Sequence, residues 1–121
     1  MEYTPKRKYV AIVVPPHGQV EVNYHDKQLK LEELQKYVGG TVQEMPFFTK
    51  IVIDGVEYRR GIAYCDEDGF QKRLELNERA HSFWRKACPK GNPERMTVVG
   101  PILFTCLEPK DVTKSERLSR E

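Results

Sequence analysis

Residues 31–45 read LEELQKYVGGTVQEM, and the way this stretch changes character partway along decides the fold. Leu31, Leu34, Tyr37 and Val38 fall at helical spacing, so a helix is expected from about Gln28 to Val38 with one apolar stripe. Glu32 and Glu33 sit near its N-terminal end, where the helix dipole favours negative charge. Gly39 ends the helix, because a left-handed residue just past a helix is sterically easy for glycine and costly for most others. The Gly39-Gly40 pair could also bring backbone amides close to an anion. These glycines follow a helix instead of preceding one, however, so the favourable N-terminal dipole is missing and the pair is not a phosphate loop. Thr41 to Met45 then reads as a short strand ended or bent by Pro46.

Toward the N-terminus, Tyr9 to Val14 is an unbroken apolar run, as expected of a strand covered on both faces, and Pro15-Pro16 stops it. It is placed in the middle of the sheet. The basic residues ahead of it superficially resemble the start of a signal peptide, but the run is shorter than the ~7–15 apolar residues such a signal needs. His17-Gly18 turns the chain into Gln19 to Tyr24, a half-buried strand whose Val20, Val22 and Tyr24 alternate with polar residues.

Toward the C-terminus, Lys50 to Ile53 and Val56 to Arg60 flank Asp54-Gly55, a pair suited to a type I′ hairpin turn. The second arm is expected to run on into Ile62 to Cys65 with a bulge or bend at Gly61. Asp66-Glu67-Asp68-Gly69 forms an acidic turn. Clustered carboxylates can hold a hard cation, but the glycine falls at the fourth position instead of the sixth and Asn77 stands where a calcium loop needs glutamate. A solvated turn is the expected reading. Asn77 has the chemistry of a helix N-cap, and Ala80, Phe83, Trp84 and Ala87 form the stripe of a second packing helix that stops at Cys88-Pro89. Trp84 beside Arg85 and Lys86 could stack on a nucleic-acid base, although an aromatic at helical spacing is first a core residue. Gly91-Asn92-Pro93 is a loop, and Met96 to Val99 and Ile102 to Leu107 return to the sheet as one strand or two.

Three blocks, Val38-Gly39-Gly40, Asp66-Glu67-Asp68-Gly69 and Asn77-Glu78-Arg79-Ala80, resemble in order and spacing a small domain of unknown function that recurs in bacteriophages, prophages and large DNA viruses. The resemblance spans about Tyr9 to Thr105. It implies a viral or mobile-element accessory protein acting inside the host cell, and it carries no reaction, cofactor or catalytic residue with it. The chain departs from the short family pattern in the IDGVEYRR insertion before the acidic turn and in the segment after Leu107.

The 121 residues, 39% hydrophobic and 31% charged, fit one α+β domain over residues 1–107, followed by a charged, mobile tail over 108–121. The domain is expected to be a mainly antiparallel, curved sheet with two packing helices and a projecting hairpin. No apolar run approaches the ~18 residues of a membrane helix, so no membrane is expected. The three cysteines, at 65, 88 and 106, are odd in number and lack close pairing, pointing to a reducing compartment, the host cytoplasm. No catalytic residue, metal site or cofactor is expected. His17, His25 and His81 have no recognised ligand spacing, and the acidic turn beside Cys65 raises its thiol pKa. The leading expectation is a non-catalytic viral or mobile-element module that binds a host component such as a host-defence factor, with homodimerisation through a helix or sheet edge open. Candidate contact residues are Gly39, Gly40, Arg59, Arg60, Asp66, Glu67, Asp68, Asn77 and Arg79. The alternatives are a nucleotide or other small ligand held by Arg59, Arg60, Arg79 and the amides near Gly39, nucleic acid held by Lys6, Arg7, Lys8, Arg85 and Lys86, or divalent-cation chemistry at Asp66, Glu67 and Asp68. With 20 basic against 18 acidic residues, the net charge of +2 gives no strong nucleic-acid footprint.

Overall fold

Tyr9–Val14 forms β1, and the computed structural model, which describes residues 7–88 and 97–109, pairs it on both sides. One neighbour is β2, Glu21–His25, and the other is β7, Ile102–Leu107; both run antiparallel to β1. β6, Ile62–Asp66, pairs with β7, and β3, Val42–Met45, closes the sheet in the order β2-β1-β7-β6-β3. Every pairing is antiparallel. β1 is thus interior, as its unbroken apolar run requires, since both of its faces are covered.

The two faces bury different elements. Helix α1, Leu31–Val38, lies on one face, where Leu34, Tyr37 and Val38 meet Ala11 and Leu103. Gly39 ends it at φ 88°, in the left-handed region, and its N–H returns to the Gln35 carbonyl at 2.7 Å. The helix begins at Leu31 and not at Gln28, and Leu31 is 58% exposed. A side chain at the first helical position leans back past the helix end, and Leu29 packs against the sheet instead.

Helix α2, Glu78–Ala87, and the hairpin cover the other face. Ala80, Trp84 and Ala87 are buried there against Ile12, Ile102 and Phe104, with Phe83 partly buried beside them. The hairpin arms are β4, Ile51–Ile53, and β5, Val56–Tyr58, joined by Asp54 and Gly55 at φ 51° and 82°, the two positive angles of a type I′ turn. The hairpin stands apart as a two-stranded sheet, yet Ile51, Ile53, Val56 and Tyr58 fold back into the core while Val52 faces solvent.

β5 does not continue into β6. Arg60 takes φ 54° and Gly61 bends the chain into the other sheet. A Cβ on Gly61 would run into the Phe104 ring and lie 2.7 Å from the Thr105 carbonyl, so the crossing needs glycine. Three further expectations shift. Tyr24 is 52% exposed where its alternation suggested burial, on β2 at the edge of the sheet. Val99 makes only a single bridge to Leu76 before Gly100, at φ 75°, breaks the run ahead of β7. Glu108 is tied down: its N–H donates to the Lys8 carbonyl at 2.8 Å and its own carbonyl accepts from Arg7 Nε at 2.7 Å. Lys6, Pro89, the Gly91-Asn92-Pro93 loop, Met96 and the tail from Lys110 onward lie outside the described residues. Among the described residues no helix is long and apolar enough to cross a membrane.

Candidate functional site

The double glycine and the acidic turn meet at one corner of the sheet. Asp66 ends β6 with a side chain only 1% exposed, and its carboxylate accepts from Lys72 Nζ at 2.7 Å and from the Asp68 N–H at 2.9 Å. Gly40 is small so that this pair fits, since a Cβ there would stand 2.5 Å from Lys72 Nζ and 2.7 Å from Asp66 Oδ2. The Glu67 N–H donates to the Thr41 carbonyl at 2.8 Å and locks the turn to β3. Burial by itself pushes the Asp66 carboxyl upward, but the Lys72 hydrogen bond, the Asp68 amide and the Lys72 charge outweigh it and hold the pKa below the ordinary value. This buried, committed carboxylate is not the solvated turn residue expected from the sequence.

The lowered pKa sets a pH dependence. The contribution of the pair is present above the unfolded carboxyl value of about 3.9 and is lost as pH falls through the lower folded value. Lys72→Met is expected to cost about 1–2 kcal/mol at pH 7. That is below the usual cost of breaking a fully buried pair, because Lys72 is 41% exposed and water can replace it. Burial then dominates at Asp66, so protonation relieves the variant and its deficit should narrow as pH is lowered. Urea unfolding across pH checks this, and a deficit that stays constant would rule it out.

The other candidate residues lie elsewhere. Asn77 is fully buried and structural, its Nδ2 donating to the Val14 and Gly100 carbonyls at 2.8 Å each. Arg79 donates to the Gly18 carbonyl at 2.7 Å, holding the β1–β2 turn against α2. Arg59 pairs with Glu57, and Arg60 lines a separate cavity of about 190 Å³ beside Tyr9, Leu34 and Tyr64. These arginines precede β6 whereas Asp66 ends it. The amides of Gly39 and Gly40 both donate to the Gln35 carbonyl. The groups proposed for an anion are therefore dispersed and largely committed. Trp84 is a core residue, 3% exposed. Arg7 is engaged by the Glu108 carbonyl, Lys8 by Asp26 and Arg85 by His81.

A different surface stands out around β3, the edge of the sheet. On its α2 face is a recess of about 140 Å³ lined by Met45, Cys65, Phe70, Trp84 and Val98, together with Gln43 and Glu67. A second cavity of about 280 Å³ adjoins it around the end of β3, sharing Glu44, Met45 and Pro46 and adding Phe47, Phe48 and Ile62. Phe47 and Phe70 are 70% and 66% exposed beside these cavities, while Ile62, 43% exposed, lies on the Tyr64 side of β6 and also lines the cavity beside Arg60.

Phe47 is held in place. Its backbone has φ 62°, a left-handed conformation costing a non-glycine residue about 1–2 kcal/mol. The turn that contains it is clamped by α2: Trp84 Nε1 donates to the Pro46 carbonyl at 2.8 Å and Cys88 Sγ to the Phe47 carbonyl at 3.5 Å. The sequence hints at this surface only through the pair Phe47-Phe48, of which one is buried and one is displayed.

All three cysteine thiols hold their protons more tightly than an ordinary thiol. Burial, with Asp66 adding to it, raises Cys65; burial raises Cys88; and burial pushes Cys106 up to about 12 against the opposing charge of Arg7. Among the described residues no group of three or more His, Cys, Asp or Glu side chains is placed to hold a metal. The chain matches no protein-family model, no curated protein and no solved structure.

Proposed function

We propose that this chain is a non-catalytic binding module, of the kind a virus or mobile element uses inside its host cell to engage a host protein, and that it docks through the apolar border of β3. The observation that carries the reading is the exposure of Phe47 and Phe70 around β3, beside a recess walled by Met45 and Trp84. Burying exposed aromatics in a partner supplies the dominant binding energy of most protein interfaces. The clamp on the Pro46-Phe47 turn means that little ordering entropy remains to be lost on docking. The viral setting and a partner in host defence rest on the resemblance of the three sequence blocks.

Phe47→Ser with Phe70→Ser is expected to weaken a host-protein complex by roughly 30-fold or more while leaving the fold intact, since both side chains stand mainly in solvent. The check is native mass analysis after incubation in host lysate, with circular dichroism as the folding control. A complex of fixed stoichiometry, formed by the parent and lost in the double variant, supports the reading. A complex that survives both substitutions, or a bound mass that proves to be a nucleotide or nucleic acid, overturns it.

A further inference from the structure

We infer that the partner segment is an extended peptide that adds to β3 as a sixth strand and alternates apolar with basic side chains; this rests on the docking surface just described. Among the described residues β3 has β6 as its only sheet neighbour. In an antiparallel ladder the main-chain groups of successive residues point alternately to the two sides. The Glu67 N–H bonds the Thr41 carbonyl, so Thr41, Gln43 and Met45 turn toward β6, and Val42 and Glu44 turn their N–H and C=O groups to the open side. Two donors and two acceptors are therefore set out for an incoming strand. Pro46 ends the open stretch, since it has no N–H and its carbonyl already accepts from Trp84.

The side chains add a pattern. Gln43 pairs with Cys65 and Met45 with Ala63, all toward the α2 face and its recess, while Val42 and Glu44 point to the α1 face. An added strand shares this alternation. Its residues on the α2 side meet a recess of about 140 Å³, close to the ~150 Å³ of a cavity known to admit a benzene ring, so a leucine- or phenylalanine-sized side chain fits there. Its neighbours on the opposite side pass Glu44, while Glu67 lines the recess itself. Among the described residues neither Glu44 nor Glu67 is in an ion pair, whereas the nearby Asp66 is matched by Lys72. The unmatched charge is negative, so the flanking side chains are lysine or arginine. A second copy of β3 is a poorer occupant than a basic segment, because antiparallel self-pairing centred on Gln43 sets Glu44 opposite Val42 of the other copy and supplies no cation to either glutamate.

The test is selection of short random peptides displayed against the full chain, in parallel with a Glu44→Lys, Glu67→Lys variant. The expected result is enrichment of alternating apolar and Lys/Arg sequences, with binding at least tenfold weaker to the charge-reversed protein. N-methylation of the peptide at its ladder positions should abolish binding, and the emission of Trp84, the only tryptophan, should shift when the recess fills. Enriched peptides that lack alternation, survive N-methylation or bind the charge-reversed protein equally overturn the inference. No enrichment, alongside a host complex still lost in the Phe47→Ser, Phe70→Ser variant, overturns strand addition but leaves the docking surface, with a folded partner. No enrichment and no loss in that variant overturns both.

Discussion

Asn77→Asp should destabilise the fold by about 3–5 kcal/mol, at least as much as Asn77→Ala, although aspartate and asparagine are nearly equal as helix caps. The reason is what the side chain does besides capping. Its Oδ1 accepts from the Ala80 N–H at 2.9 Å, the ordinary cap bond, while its Nδ2 donates to the carbonyls of Val14 and Gly100 at 2.8 Å each. One fully buried amide thus ties the end of β1, the entry to β7 and the start of α2. An ionised carboxylate keeps the cap but places negative oxygen against two carbonyls without water, where a buried unpaired charge is costly. Alanine loses a cap worth about 0.5–2 kcal/mol and leaves buried polar groups unsatisfied at about 1–3 kcal/mol each. Against a typical total of ~5–15 kcal/mol, either change removes a large share of stability. Urea unfolding followed by circular dichroism measures this; an Asn77→Asp protein within about 1 kcal/mol of the parent would show that the amide donors are dispensable.

The same residue marks how far the sequence could be read. That Asn77 caps α2 is local chemistry, settled within three residues, and so are the glycine stop at Gly39 and the Asp54-Gly55 turn. The α+β architecture, the two helices and the interior position of β1 follow from such local signals combined with periodicity. That Nδ2 reaches Val14, 63 residues away, is not local, and no periodicity reports it. The outward Tyr24 shares that cause, because an apolar residue at the right spacing is buried only if a neighbour covers it, and coverage is set by strand order.

The candidate site divides in the same way. Gly39, Gly40 and the acidic turn do come together, since the blocks flank strands that pair, but their joint role is to bury one carboxylate against Lys72. The edge status of β3 depends on pairings made across the whole chain, so the displayed Phe47 and Phe70 have no signature beyond being aromatic. Two adjacent phenylalanines in a turn give no sign of which one points inward. Phe48 is 1% exposed and Phe47 70%, a difference produced by the positive φ at Phe47 and by the clamp from α2.

That clamp makes Trp84 the residue at which stability and docking are coupled, and substituting it should separate the two. Trp84→Ala is expected to cost about 3–5 kcal/mol, the usual range for removing a large buried aromatic. The indole is 3% exposed and stacks on Phe48 at 6.4 Å between ring centroids, and Phe48 packs in turn on Phe104 at 5.8 Å. Trp84→Phe retains most of that apolar contact and loses the Nε1–H bond to the Pro46 carbonyl, so it should cost only about 1–2 kcal/mol. The carbonyl it releases belongs to the turn that displays Phe47, which is then free to leave its strained conformation. The Trp84→Phe protein should therefore remain folded by urea unfolding yet bind its partner more weakly than its small stability loss predicts, because Phe47 must be reordered on docking. If Trp84→Phe binds as tightly as the parent, the hydrogen bond serves the core alone and Phe47 owes its display to the backbone of its own turn.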